Sequence, residues 1–78
     1  MSNYCVETYH ARLSDSVITD MDGDTAEELN DETLAYANEL FEAAKANCPP
    51  DEYCEVWVAR FRPNLPAQPV YIFTSLVH

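Results

Sequence analysis

The chain has 78 residues and a net charge of −10, from 14 acidic residues against four Lys and Arg. A single domain of this size buries only roughly 60% of the surface its unfolded chain exposes, so one sheet and one helix exhaust the core. The apolar fraction is ordinary for a folding chain, which excludes a disordered acidic tail. The charge exceeds the magnitude of about 2 to 8 that keeps a small domain soluble, and it costs stability through self-repulsion.

The N-terminal MSNYCVETYH has neither a basic region nor an apolar run, so no leader is expected. No stretch approaches the roughly 20 apolar residues of a membrane span. With an odd count of cysteines, Cys5, Cys48 and Cys54, the expectation is a reducing cytosol and free thiols, with a Cys48–Cys54 disulfide as the alternative.

In chain order, Asn3 to Leu13 is rich in β-formers and reads as a strand. Leu13-Ser14-Asp15-Ser16 is a turn signal, and Ser16 to Thr19 reads as a short second strand. Thr25-Ala26-Glu27-Glu28 has the form of a capping box. Asp31 is a second candidate helix start, with a break near Asn30. From there Leu34, Ala37, Phe41, Ala44 and Cys48 recur at steps of three and four and make one helical face, which Leu40 widens. Asn47 and Pro49-Pro50 end the helix, because proline cannot continue it.

Two strands follow, Tyr53 to Arg62 and Val70 to Val77, joined by a segment that three prolines keep out of any ladder. The expected fold is α+β, of order β(β)αββ. It is one domain over residues 1–78, with one main helix on one face of an antiparallel sheet of three to four strands. Cys54, Val56 and Val58 alternate with Tyr53, Trp57 and Phe61, and Val70, Ile72 and Leu76 alternate with Tyr71 and Phe73. The aliphatic set is expected under the helix. The aromatic set, Tyr53, Trp57, Phe61, Tyr71 and Phe73, is then partly uncovered and is a candidate oligomer interface.

Ten of the fourteen acids lie between Asp15 and Glu42, and no Lys or Arg occurs between Leu13 and Ala44. The polarity is therefore one-sided, with an acidic loop and helix joined to a nearly balanced sheet. Glu32, Glu39 and Glu42 avoid the apolar stripe, and Glu32 and Glu42 stand roughly 15 Å apart along the axis. Asp20, Asp22, Asp24, Glu27, Glu28 and Asp31 extend the ridge toward the N-terminus. Acids early in a helix favour its dipole, but that does not account for some thirty residues without a balancing cation.

Asp20-Met21-Asp22-Gly23-Asp24 resembles two families. In the EF-hand calcium loop, Asp20, Asp22, Asp24 and Asp31 would fall at positions 1, 3, 5 and 12. Thr25 stands where that loop has glycine, and Asp31 where it has a bidentate Glu. Val17 to Gly23 also resembles the first motif of the haloacid-dehalogenase phosphatases, which would make Asp20 the nucleophile and Asp22 the general acid/base. Asp24 departs from that motif, and the chain is too short for the parallel sheet and downstream residues the family needs.

A zinc set from Cys5, Cys48, Cys54, His10 and His78 lacks the short CxxC spacing of structural sites. With Gly23 the only glycine, no phosphate loop or nucleophile elbow can be built, so no catalysis, cofactor or metal is expected. The aromatics superficially suit base stacking, but the charge argues against direct nucleic-acid contact.

Length, acidity, cysteine usage and the α+β plan resemble the small phage-encoded inhibitors of bacterial defence, the anti-CRISPR and anti-restriction DNA mimics. The resemblance is to a class, without a diagnostic motif. It implies a partner that is a basic nucleic-acid-binding protein or ribonucleoprotein nuclease in the host cytoplasm. Asp20, Asp22, Asp24, Glu27, Glu28, Glu32, Glu39 and Glu42 would then stand in for phosphates. The alternatives are a homo-oligomer, such as a homodimer, built on the aromatic sheet face, and a calcium-binding loop protein.

Overall fold

The computed structural model describes residues 3–76. Strand β1 (Tyr4–Arg12) is followed by β2 (Ile18–Ala26), helix α1 (Asp31–Ala46), β3 (Glu52–Arg60) and β4 (Gln68–Thr74). All neighbouring strands are antiparallel, in the order β2-β1-β3-β4. The fold is α+β, as the periodicities predict. Val77, placed in the last strand by its sequence pattern, lies outside the described residues, as does His78.

Helix α1 starts at the later of its two candidate positions. Asn30 is the N-cap, and its side-chain oxygen accepts from Thr33 N at 3.0 Å. The Thr33 hydroxyl also bonds Glu28 O at 2.7 Å and is buried with the core. The capping box at Thr25 is not used, because Thr25 is still paired with Cys5 in the sheet. The C-terminal end agrees with the proline signal: Asn47 is the C-cap, and its amide bonds Ala44 O. Chain reversal at Pro49 is closed by Glu52 N bonding Pro49 O at 3.1 Å.

The helix rests chiefly on β3, with lesser contact to β1 and β4. Its buried face of Ala37, Phe41 and Ala44 meets Val6, Cys54, Val56 and Val58, and Leu34, Leu40, Cys48 and Phe73 pack around them. The cross-strand register puts Val6 opposite Val58 and Thr8 opposite Val56, which fixes the helix side of both central strands.

Three assignments to the sheet faces are corrected by the register. Phe73 stands opposite Val56 and Tyr71 opposite Val58, so both lie on the helix side. Phe73 stacks on Phe41 at 5.8 Å between ring centroids, and Tyr71 on Phe73 at 5.0 Å. Ile72 instead stands opposite Trp57 on the open side. Tyr71, Ile72 and Phe73 alternate within β4, whereas Leu76 lies beyond its end, and the phase of β4 relative to β3 depends on pairing that local sequence does not carry.

Truncating Phe41 to Ala is expected to cost about 3 to 5 kcal/mol, a large part of a small domain's stability. Replacing Asn30 by Ala should cost about 1 kcal/mol, through loss of the cap. That loss would lower the melting temperature by about 4 to 8 °C. Thermal unfolding of the two variants checks both.

Candidate functional site

Asp20 to Asp24 form the middle of β2, a strand with few β-formers whose ladder to β1 is regular from Asp20 to Ala26 and irregular at Thr19. Its register sets His10 opposite Asp20, Thr8 opposite Asp22 and Val6 opposite Asp24. Val6 belongs to the core under the helix, so the three aspartates share that side of the sheet. Successive members are about 6.8 Å apart, twice the rise per residue of a strand. They form one row along an edge strand that the helix does not cover.

The helix supplies the facing wall. Tyr36 donates its hydroxyl to Asp24 Oδ2. This bond raises the Tyr36 phenol above its ordinary range, with smaller contributions from burial and from the charges of Asp24 and Asp22. Between the walls lies a groove of about 70 Å³, lined by Val6, Thr8, Asp22, Gly23, Asp24, Tyr36 and Leu40. Glu32 and Glu39 stand four residues before and three after Tyr36, one turn to either side on the same helical stripe, and both are exposed.

The acids are therefore divided between strand β2, whose Asp22 and Asp24 line the groove, and the exposed side of the helix beyond it, in place of the single ridge expected. Glu42 turns outward and pairs with Lys45 at 3.4 Å. Glu27, Glu28 and Asn30 belong to the connection between β2 and α1, and Asp31 opens the helix. The signal for the strand was present in the sequence: Asp20, Met21, Asp22, Gly23, Asp24 alternates acid and non-acid with period two.

This geometry removes the premise of both motif resemblances. An EF-hand carries its carboxylates on a tight turn around one ion. Here the backbone is extended, Gly23 has no positive φ, and no group of three or more His, Cys, Asp or Glu among the described residues could hold a metal ion. The phosphatase motif needs Asp20 at the end of a parallel strand, and Asp20 instead lies within an antiparallel edge strand.

The zinc set is divided by the sheet. Cys54 is in the core on the helix side, whereas Cys5 is buried on the other side, opposite Ala59. All three thiols are free, and His78 lies outside the described residues. His10 is half-buried in β1 between Asp20 and Cys54.

The open side of the sheet carries Tyr9, Tyr53, Trp57, Met21 and Ile72. Phe61 follows the end of β3 and is exposed. Tyr9 and Trp57 rings meet at 5.1 Å between centroids. Tyr9 donates to Glu7 Oε2, and Trp57 Nε1 donates to Glu55 Oε1 at 2.9 Å. Burial, followed by the hydrogen bond and the charge of Glu7, pushes the Tyr9 phenol up to about 12. Burial and then the charge of Glu7 push the Cys5 thiol up to about 11.

Comparison with known protein families, curated proteins and solved structures finds no match to this chain. Among the described residues, no helix is long and apolar enough to cross a membrane.

Gly23→Ala should fold normally, since an added Cβ would meet Glu7 Cγ and Val6 O at an ordinary 3.4 Å, and calcium should leave the melting temperature unchanged. A raised phenol pKa stabilises the fold fully below the unfolded value of about 10. That contribution is lost as pH rises toward the folded value of about 12. Tyr9→Phe should therefore flatten stability against pH across that window, measured by denaturant unfolding.

Proposed function

We propose that the protein is an acidic inhibitor that occupies the basic nucleic-acid groove of a defence nuclease in a host cytoplasm, in the manner of anti-CRISPR and anti-restriction DNA mimics. The observation that carries this reading is the row of Asp20, Asp22 and Asp24 on an exposed edge strand, with Tyr36 facing Asp22 and Asp24 across the groove and the exposed Glu32 and Glu39 one turn to either side of it on the helix. No Lys or Arg lines that groove.

The spacing supports the comparison with phosphates. Carboxylates about 6.8 Å apart along β2 fall at every second step of a DNA strand, whose charges advance about 3.4 Å per nucleotide along the axis. The row is less dense than DNA, yet it presents charge in a line along a rigid element. A cationic groove that releases counterions from phosphates gains the same term from such a row. Electrostatic steering would also speed the encounter.

A second argument comes from stability. Like charges on one face of a strand repel, and burial gives them nothing in return, because every residue of the row is exposed. A binding surface carries such a cost as a matter of course, since its charges meet their partners only in the complex.

The test uses the triple variant Asp20→Asn, Asp22→Asn, Asp24→Asn and an immobilised panel of DNA- and RNA-guided nucleases. Binding of the natural sequence should compete with DNA and weaken with salt. Neutralising the row should reduce the slope of log affinity against log salt by about 3, one for each lost charge, as for phosphate contacts. The free triple variant should melt about 2 to 4 °C higher, reflecting about half a kcal/mol of relieved repulsion. Unchanged affinity in the variant would exclude phosphate mimicry by this row.

A further inference from the structure

Glu7, Tyr9, Glu55 and Trp57 form a square on the side of the sheet away from the helix. Glu7 is directly opposite Trp57, and Tyr9 directly opposite Glu55, on the two central strands. Directly opposed side chains are about 5 Å apart at Cβ, so the two carboxylates occupy one diagonal and the two rings the other. The rings lie 5.1 Å apart between centroids and are inclined by 49°. Each ring donates to the carboxylate on its own strand, Tyr9 to Glu7 and Trp57 to Glu55. Both donors lie in the plane of their rings, so these bonds hold the carboxylates at the ring edges. An ionised carboxylate has about four acceptor positions; Glu7 also accepts from the Cys5 thiol at 3.5 Å and keeps about half of its capacity, and Glu55 keeps more.

The square has no cation of its own. Arg12 and Arg60 stand opposite Glu52 and Gln68 on the helix side of the sheet, Lys45 is on the helix, and Arg62 bonds Pro66 O in the β3–β4 connection. These are all the Lys and Arg residues of the chain. Around the square the surface is apolar. Met21 pairs with Tyr9 on one side and is 62% exposed, and Ile72 pairs with Trp57 on the other and is 45% exposed. The stripe Met21-Tyr9-Trp57-Ile72 therefore crosses all four strands.

We infer that this open face docks an arginine-bearing apolar segment of a partner protein, with one guanidinium seated over Trp57 and Tyr9 between the carboxylates of Glu7 and Glu55. The guanidinium is planar and stacks on aromatic rings while its fork of N–H donors meets carboxylates, which is the combination this square presents. A second copy of the chain is the poorer occupant, since face-to-face packing would bring two Glu7 and two Glu55 carboxylates together with no cation among them. The site is separate from the groove, because Asp20, Asp22 and Asp24 are on the opposite side of the sheet, and it does not depend on the phosphate reading.

Trp57 is the only tryptophan, so its fluorescence reports on this face alone. The probe is a short peptide of alternating arginine and leucine, compared with its citrulline counterpart, which keeps the shape and loses the charge. The arginine peptide should change Trp57 emission saturably. The change should need at least about tenfold more citrulline peptide, and the double variant Glu7→Gln, Glu55→Gln should weaken the arginine peptide by a similar factor. Glutamine keeps an acceptor for Tyr9 and Trp57, and an unchanged melting temperature confirms that this variant folds. The triple Asp→Asn variant of the groove should retain the emission change. The inference is overturned if emission does not respond, if citrulline serves as well as arginine, or if the groove variant alone abolishes the response. It is equally overturned if the protein is already a dimer that Trp57→Ala dissociates, since the face is then occupied by a second copy.

Discussion

A single helix, about 10 Å across, packs on a sheet whose outer strands are about 14 Å apart. It can cover the middle of one face and no more. The buried residues mark that footprint: Val6, Cys54, Val56 and Val58 below, Ala37, Phe41 and Ala44 above. Strand β2 and nearly all of β4 stay exposed, and on the far side Glu7, Tyr9, Glu55 and Trp57 of the central strands are half-buried. Every candidate surface in the molecule follows from this shortage of cover.

The shortage also explains how so much charge is carried. Acids placed in β2 stay exposed and keep most of their hydration, with Tyr36 of the helix reaching Asp24. The same three residues one strand further in would lie under the helix and would have to be neutralised or paired. Arg12 and Arg60 sit at strand ends, Lys45 in the last turn of the helix and Arg62 in the β3–β4 connection, and Arg12 meets Asp15 while Lys45 meets Glu42. Charge separation across the domain is thus a consequence of topology as much as of composition.

The far side of the sheet is of a different kind. There the acids are two, each is tied to an aromatic donor, and the neighbours are apolar. The uncompensated charge of Glu7 is felt by its neighbours, since it helps to hold both Cys5 and Tyr9 in their protonated forms. One face therefore offers a line of solvated charge and the other an aromatic surface with charge embedded in it. These are chemically distinct ways to meet a basic partner.

Local sequence was enough for the elements whose signals are local. The steps from Leu34 to Ala44 define the helix face and Pro49-Pro50 its end, and Tyr53 to Arg60 lie in the third strand, which starts at Glu52 and leaves Phe61 and Arg62 outside it. It also determined the excess of charge and its confinement to Asp15–Glu42. It misplaced the elements that depend on pairing. Asp20-Met21-Asp22-Gly23-Asp24 has turn-like composition and becomes a strand because β1 offers it a complete ladder. Thr25 loses its role as a cap for the same reason. The phase of Tyr71 and Phe73, and the square of Glu7, Tyr9, Glu55 and Trp57, exist only through cross-strand register. Periodicity says which residues share a face, and only the tertiary structure decides which strand lies beside them and which face the helix covers.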